Sequence, residues 1–306
     1  MDALIKKIIE KQSVAVVGID TDFDYLPDSL KEGVTDFQQA AKAIEKFNFD
    51  IIDAVADIVP AVKIQIAYYE MYGVEGIKTF ERTAKYAAQK GLYVILDAKR
   101  NDIGSTAECY AKAFLGKTPV NGEEKEVFCG DSLTVNGYLG SDGLKPFIKY
   151  CGKGKSIFSL VKTSNPSGGE FQDMELSDGR KVYEAMGDLV NELGKDLIGE
   201  YGYSSVGAVV GATHPAQAEN LRKRLPSVVF LIPGYGAQGG TAKDILPCFD
   251  SKGLGGIVNS SRGIICAYKN KKYLGLSYAE AARKAAADMN EEIKSAFAAS
   301  GIEKIG

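Results

Sequence analysis

Short apolar runs recur along the whole chain, and they alternate with longer segments whose apolar residues have helical spacing. Most of the short runs are continuously apolar, which is typical of strands that are buried on both faces. Such strands belong to parallel sheets covered by helices. Eight runs of this kind are present, at 13–20, 61–69, 93–99, 132–136, 156–163, 206–212, 228–234 and 255–261.

The segments between these runs carry helical patterns, and a strand that alternates with a helix predicts parallel crossover connections. Eight such repeats fit a (β/α)₈ TIM barrel better than an open sheet. An open doubly wound sheet is the alternative, but the G-x-G-x-x-G expected after its first strand is absent. We therefore predict an α/β fold in which residues 1–306 form a single barrel domain. The predicted helices lie at 2–11, 37–57, 78–91, 181–200, 215–224 and 278–298, and polar surface insertions at 117–131 and 165–180.

Composition narrows the class of protein. Of the 306 residues, 45% are hydrophobic and 25% are charged, and the net charge of −3 argues against a nucleic-acid surface, which is normally basic. No segment approaches eighteen consecutive apolar residues, so we expect no membrane span. The five cysteines form no C-x-x-C pair, which indicates reduced, packed thiols and a cytoplasmic protein.

Charged residues stand where three successive strands end. Asp97 and Lys99 share one face at the carboxyl end of the third strand, Lys63 lies in the second, and Asp20 ends the first. Asp102 follows just beyond Lys99. Buried charges must neutralise one another or meet a ligand, and a lone Asp-x-Lys pair would favour a structural ion pair. Because the active sites of TIM barrels lie at this end, the coincidence of five such groups favours catalysis.

A glycine-rich turn and an arginine indicate a phosphate site. The seventh strand runs into LIPGYGAQGGT at 231–241, and Arg262 follows the eighth strand in VNSSRG. The loops after these two strands often bind phosphate in TIM barrels, and the arginine guanidinium suits phosphate oxygens. The single histidine, His214, precedes a predicted helix in THPAQ, so we expect a capping or surface role for it.

Several motifs together resemble the orotidine 5′-phosphate decarboxylase family. DAKRND at 97–102 matches the family's D-x-K-x-x-D signature, and the resemblance spans residues 13–265. The two insertions are similar to those of the family's longer, type 2 subgroup. The other matching motifs, in the family's order, are VGID at 17–20, VKIQ at 62–65, TSNP at 163–166, PGYGAQGG at 233–240 and SSRG at 260–263.

The resemblance implies a cofactor-free decarboxylase that converts orotidine 5′-monophosphate to uridine 5′-monophosphate, the last step of de novo UMP synthesis. It implies a catalytic charge array of Lys63, Asp97, Lys99 and Asp102, in which Lys99 stabilises and then protonates the carbanion at C6 of the pyrimidine. It also implies a homodimer in which Asp102, Ile103 and Thr106 enter the neighbouring subunit's site.

The same resemblance implies the substrate contacts. Asp20 and Lys63 would hold the ribose hydroxyls, Ser164 the pyrimidine edge, and Pro233 would line the ring pocket. Gln238, Arg262 and the backbone at Ser261 would bind the phosphate. Two positions depart from some family members: Tyr235 stands where a smaller residue is often found, and Ser261 where glycine is common.

Three other functions are consistent with parts of the sequence. A Mg²⁺-dependent sugar-phosphate decarboxylase or lyase of the same barrel group typically needs a carboxylate on the second strand, where this chain has Lys63 and Gln65. A Schiff-base aldolase would need a lysine of depressed pKa, which flanking carboxylates oppose. A catalytically inactive nucleotide-phosphate sensor would keep the pocket and lose catalytic residues. Because this chain has every catalytic residue that the resemblance implies, this function ranks last.

Overall fold

A computed structural model describes residues 1–236 and 239–306. In this part of the chain eight parallel strands close into a barrel in the order β1-β2-β3-β6-β7-β8-β9-β10, and β4 and β5 form a separate antiparallel pair. The strands are β1 (Ala15–Ile19), β2 (Ala61–Gln65), β3 (Tyr93–Arg100), β4 (Thr118–Val120), β5 (Glu123–Lys125), β6 (Ser132–Val135), β7 (Ser156–Lys162), β8 (Val206–Val210), β9 (Phe230–Ile232) and β10 (Gly256–Ser260).

Helices follow the strands and cover the outer wall of the barrel. Short 3₁₀ turns lie at Phe23–Tyr25, Pro166–Gly168, Lys195–Leu197, Leu246–Cys248, Ala267–Lys269 and Lys271–Tyr273. The α-helices are α1 (Asp2–Lys11), α2 (Asp28–Lys31), α3 (Phe37–Val55), α4 (Ala67–Glu70), α5 (Gly73–Gln89), α6 (Gly104–Leu115), α7 (Gly140–Cys151), α8 (Gly169–Gln172), α9 (Val182–Gly194), α10 (Pro215–Arg224), α11 (Ala242–Ile245), α12 (Arg262–Ile265) and α13 (Tyr278–Ala299).

The predicted barrel is confirmed, because each of the eight apolar runs coincides with one of its strands; only β3 extends past its run, by one residue to Arg100. The helix predictions need corrections. Helix α5 starts at Gly73 rather than at 78. Helix α9 ends at Gly194 rather than at 200, because the 3₁₀ turn Lys195–Leu197 follows it directly. Helices α6 and α7 were not predicted. Glycine at both starts and Pro146 inside α7 obscured their helical pattern.

Helix α1 lies across the amino-terminal ends of the strands. Its first residue, Met1, is buried, and the Met1 amino group donates to Ser156 Oγ at the start of β7 at 2.8 Å. Lys7 Nζ donates to the carbonyl of Gly91, just before β3, at 2.6 Å. This end of the barrel is therefore covered, and a cavity opens at the opposite, carboxyl-terminal end.

The two polar insertions lie on the surface. The first contains the exposed β4–β5 hairpin, and the second contains α8, followed by an antiparallel bridge between Glu175 and Lys181. Among residues 1–236 and 239–306, none of the helices combines the length and the apolar composition that a membrane span requires.

Candidate active site

A cavity of about 790 Å³ lies at the carboxyl-terminal ends of the barrel strands. Side chains from all the barrel strands except β1 line it, together with residues of the segments that follow β1, β2, β7, β9 and β10. Its volume lies within the range of small-molecule sites. The predicted site residues that line it are Asp20, Lys63, Asp97, Lys99, Ser164, Pro233, Ser261 and Arg262.

Four charged side chains form one connected array in this cavity. Lys63 Nζ lies 3.0 Å from Asp20 Oδ1 and 3.0 Å from Asp97 Oδ2. Lys99 Nζ lies 2.7 Å from Asp97 Oδ1. The barrel register accounts for this, because Lys63 pairs with Gly18 on one side and Gln65 pairs with Asp97 on the other. Asp97 therefore bridges two ammonium groups, and Lys63 bridges two carboxylates.

Lys99 reaches the array through a local distortion of β3. The pairing of β3 with β6 shifts register between Leu96 and Arg100, and Lys99 adopts a left-handed backbone with φ of 47°. Such a conformation costs a non-glycine residue roughly 1–3 kcal/mol. Thr134 on β6 offsets this cost, because its Oγ1 accepts from the Ala98 and Lys99 amides, both at 3.0 Å, and donates to Asp97 Oδ1 at 2.8 Å. Sequence analysis missed Thr134.

Burial and neighbouring charges act in opposite directions on the pKa values of Lys63 and Asp97. Burial by itself would raise the pKa of Asp97, but the ammonium groups of Lys63 and Lys99 outweigh it and hold that pKa far below its ordinary value. Burial would likewise lower the pKa of Lys63, whereas Asp20 and Asp97 raise it well above the ordinary value. The pair is therefore ionised throughout the physiological range.

The ionised Asp97 is expected to stabilise the fold at neutral pH and to lose this contribution in acid. Its pKa is lower in the folded protein than in the unfolded chain, so the contribution is complete above about pH 5 and falls as the pH drops through about 4. Urea unfolding should therefore separate the unaltered protein from Asp97→Asn most clearly near neutrality. The difference in unfolding free energy should shrink toward about pH 3. A difference that stays constant over this range would contradict the assignment.

A second group of polar contacts fixes Asp20. Ser261 Oγ donates to Asp20 Oδ2 at 2.7 Å, and Asn259 Nδ2 donates to Ser261 Oγ at 3.3 Å. Gly18 leaves room for this arrangement, because a Cβ there would lie 1.8 Å from Ser261 Oγ. Asn259 was missed by sequence analysis, and the resemblance had assigned only the backbone of Ser261.

The first residues of the glycine-rich segment after β9, Pro233, Gly234 and Tyr235, line one side of the cavity. Gly234, Gly236 and Gly239 have positive φ values, and the Gly240 amide donates to the Gly234 carbonyl at 3.1 Å. Tyr235 is buried against the loop, and its hydroxyl donates to Glu292 Oε2 of α13 at 2.7 Å.

Arg262 and Gln238 are the two residues whose side chains are predicted to bind the phosphate. Arg262 is exposed at the start of α12, and within the described residues its guanidinium forms neither an ion pair nor a hydrogen bond. It is therefore available to an anion at the cavity's edge. Gln238 lies outside the described residues.

Three of the predicted residues are not part of the cavity in their own chain. Asp102, Ile103 and Thr106 lie between β3 and the first turn of α6, and Ile103 and Thr106 are exposed. Asp102 Oδ1 accepts from the Ile103 amide at 2.8 Å. The structure thus brings together four of the five charged groups and leaves Asp102 outside the array.

Two minor expectations need correction. His214 precedes α10 as expected, but of the two roles expected for it the capping role is wrong, because its partly exposed side chain does not cap the helix. Burial together with the nearby Lys162 lowers the pKa of its imidazole. All five cysteines are free, yet Cys109 is exposed rather than packed. Across residues 1–236 and 239–306, no three His, Cys, Asp or Glu side chains are grouped so as to hold a metal ion.

Comparisons with known proteins agree with this geometry. Residues 35–274 match the model of the orotidine 5′-phosphate decarboxylase / HUMPS family. The chain is 43% identical over 297 residues to an orotidine 5′-phosphate decarboxylase of Clostridium perfringens, covering 97% of this chain and 98% of the relative. It is 43% identical over 294 residues to that of Rhodopirellula baltica, covering 94% and 96%. The solved OMP decarboxylase of Leishmania donovani superposes with a TM-score of 0.71 at 27% identity, covering 97% of each chain.

Proposed function

Because the chain belongs to the orotidine 5′-phosphate decarboxylase / HUMPS family and is a carboxy-lyase of pyrimidine biosynthesis, we propose that its Lys63–Asp97–Lys99 array removes the carboxylate of orotidine 5′-monophosphate. The observation that carries this assignment is the short contact of 2.7 Å between Lys99 Nζ and Asp97 in a cavity of nucleotide size. The product is uridine 5′-monophosphate.

The chemistry needs a fixed positive charge and a proton donor at one place. When the bond between C6 and the carboxylate breaks, carbon dioxide leaves and the electron pair stays on C6 in the plane of the ring. The ring cannot delocalise that pair, so the protein must stabilise it electrostatically. The Lys99 ammonium stabilises the carbanion and then transfers a proton from Nζ to C6.

The neighbouring groups keep the Lys99 ammonium in place before substrate arrives. Asp97 accepts from Lys99 and from Thr134, and Lys63 holds the other oxygen of the same carboxylate. A site preorganised in this way avoids most of the reorganisation that water would undergo around the developing charge. Asp97 therefore orients two ammonium groups at once.

The substrate is oriented by groups at different parts of the cavity. Asp20 and Lys63 bind the ribose hydroxyls, Ser164 binds the pyrimidine edge and Pro233 lines the ring. At the phosphate, Arg262 and the backbone at Ser261 act together with Gln238. The exposed guanidinium of Arg262 at the end of β10 supports this assignment.

Replacing Arg262 with alanine is expected to raise KM by about 10- to 100-fold, the effect of losing charge-assisted hydrogen bonds to phosphate. The kcat at saturating substrate should fall less, because Arg262 is remote from C6. Steady-state assays on Arg262→Ala provide the measurement, with Arg82→Ala on the exposed face of α5 as a control. An unchanged KM would remove Arg262 from the phosphate site.

We further propose a homodimer in which Asp102, Ile103 and Thr106 complete the partner's site. Asp102 lies outside the array of its own chain, next to the exposed Ile103. Exposed apolar side chains also follow the two strands beside β3: Val74 comes after β2, and Tyr138 after β6. An apolar rim of this kind supports association with a second copy.

The free cysteines support a cytoplasmic location.

A direct assay tests the proposed activity. When orotidine 5′-monophosphate is added to the purified protein, the absorbance should fall at a wavelength where this substrate absorbs more strongly than UMP, and EDTA should leave the rate unchanged. Absence of turnover would refute the proposal. Loss of activity in EDTA that Mg²⁺ restores would instead favour a metal-dependent decarboxylase.

A further inference from the structure

The second polar insertion is attached to the strand end that borders the cavity. Thr163 follows β7 directly, and the side chain of Gln172 in α8 makes two hydrogen bonds to it. Gln172 Oε1 accepts from the Thr163 amide at 3.0 Å, and Gln172 Nε2 donates to Thr163 Oγ1 at 2.7 Å. The backbone and the hydroxyl of Thr163 are thus held by one amide group.

Asp173, which follows Gln172 in the insertion, forms an ion pair with Lys162, the last residue of β7. Lys162 is fully buried, and its Nζ lies 2.8 Å from Asp173 Oδ1. Gln217 of α10 donates to the same oxygen at 3.1 Å, and the Lys162 ammonium lies 5.6 Å from the centre of the Tyr183 ring. A buried ammonium without its carboxylate is costly, so Asp173 is firmly fixed to the end of β7.

These contacts fix a segment of the cavity wall. Residues 163–166 all line the cavity, and the Thr163 hydroxyl donates to Asn165 Oδ1 at 2.6 Å. The opposite side of the segment packs on Gly211, where a Cβ would lie 2.7 Å from the Cβ of Ser164. Residues 163–166 are therefore held between the end of β8 on one side and the insertion on the other.

We propose that Gln172 and Asp173 are positioning residues that hold residues 163–166 against the pyrimidine of the substrate. The proposal rests on the assignment of Ser164 to the base in the proposed function. The residues assigned to the ribose and the phosphate belong to β2 and to the segments that follow β1, β9 and β10. The hydrogen bonds of Gln172 and Asp173 are made to the end of β7 and to α10 instead. Removing the hydrogen bonds of the insertion should therefore lower the affinity for a ligand that carries the base and leave the affinity for a sugar phosphate unchanged.

Gln172→Ala tests the positioning role and leaves the buried ion pair of Lys162 with Asp173 intact. Calorimetric titration should give a Kd for UMP about tenfold higher than that of the unaltered protein, the expected loss for one or two neutral hydrogen bonds. The Kd for ribose 5-phosphate, which has no base, should stay within about twofold. Gln172→Glu keeps an acceptor for the Thr163 amide, so it should bind UMP more tightly than Gln172→Ala.

Glu170→Ala provides the matched control, because Glu170 is exposed on the same short helix. It should bind both ligands as the unaltered protein does. Unchanged UMP affinity in Gln172→Ala, or equal weakening of both ligands, would overturn the proposal. Turnover of orotidine 5′-monophosphate by the unaltered protein tests the proposed function separately, since the two binding measurements need no turnover.

Discussion

Replacing Lys99 with alanine is expected to lower kcat by at least about 10⁴-fold, because in the proposed mechanism one side chain supplies both the charge that stabilises the carbanion and the proton that quenches it. Asp97 would remain beside the scissile carboxylate with one of its two ammonium partners missing. UMP binding should remain measurable, because the proposed phosphate and ribose contacts do not involve Lys99. The decline in orotidine 5′-monophosphate absorbance gives kcat, and calorimetry gives the affinity for UMP.

Lys78→Ala is a suitable control for this variant. Lys78 lies on α5, where it pairs with Glu75 on the outer surface of the barrel. It should keep the kcat of the unaltered protein. A near-normal kcat in Lys99→Ala would show that another group acts as the acid, and loss of UMP binding would assign Lys99 to binding instead.

Two inactive variants are expected to restore activity to each other when they share a dimer. If Asp102 acts in the partner's site, Lys99→Ala and Asp102→Ala homodimers are both inactive, whereas a heterodimer has one site with both residues intact. Coexpression with two different affinity tags isolates that heterodimer. Its turnover should be about half that of the unaltered dimer, one working site of two.

Complementation distinguishes the two possible placements of Asp102. If Asp102 instead served the site of its own chain, neither site of the heterodimer would contain both residues. The heterodimer would then be as inactive as its parents. The position of Asp102 outside its own array predicts the first outcome.

The barrel could be predicted because its signal is local and repeated. Runs such as SVAVVGID and YVILDAK are apolar on both faces, and each coincides with a strand. Helices were harder to predict where glycine interrupts the pattern. In α5, Gly73 and Gly76 precede the first strongly periodic residues, so the helix begins before its amphipathic signal does.

Much of the charge array could be predicted for a similar reason. The alternation of side chains along a strand places Asp97 and Lys99 on one face, and barrel geometry places Lys63 beside them. The supporting hydrogen bonds could not be predicted. Thr134 in SLTVN is an ordinary strand residue by sequence, and its contact with Asp97 depends on the register shift between β3 and β6.

The attachment of the second insertion was also beyond sequence analysis. Lys162 and Asp173 are eleven positions apart, the first at the end of β7 and the second within the polar insertion. Lysine at a strand end and aspartate in a loop are both normally solvated, so neither signals a buried pair. Only the folding of α8 back onto β7 brings them together.

If an ammonium group at position 99 performs the chemistry, chemical restoration of that group in an inactive variant should restore turnover. Lys99→Cys should be inactive, and treatment with 2-bromoethylamine converts the new thiol to an aminoethyl thioether that carries an ammonium at nearly the same reach. The unaltered protein treated in the same way controls for modification of the exposed Cys109. We expect aminoethylation to raise the kcat of Lys99→Cys by at least about 100-fold, and iodoacetamide, which adds a neutral group, to raise it not at all. Equal activity after the two reagents, or none after either, would contradict the account.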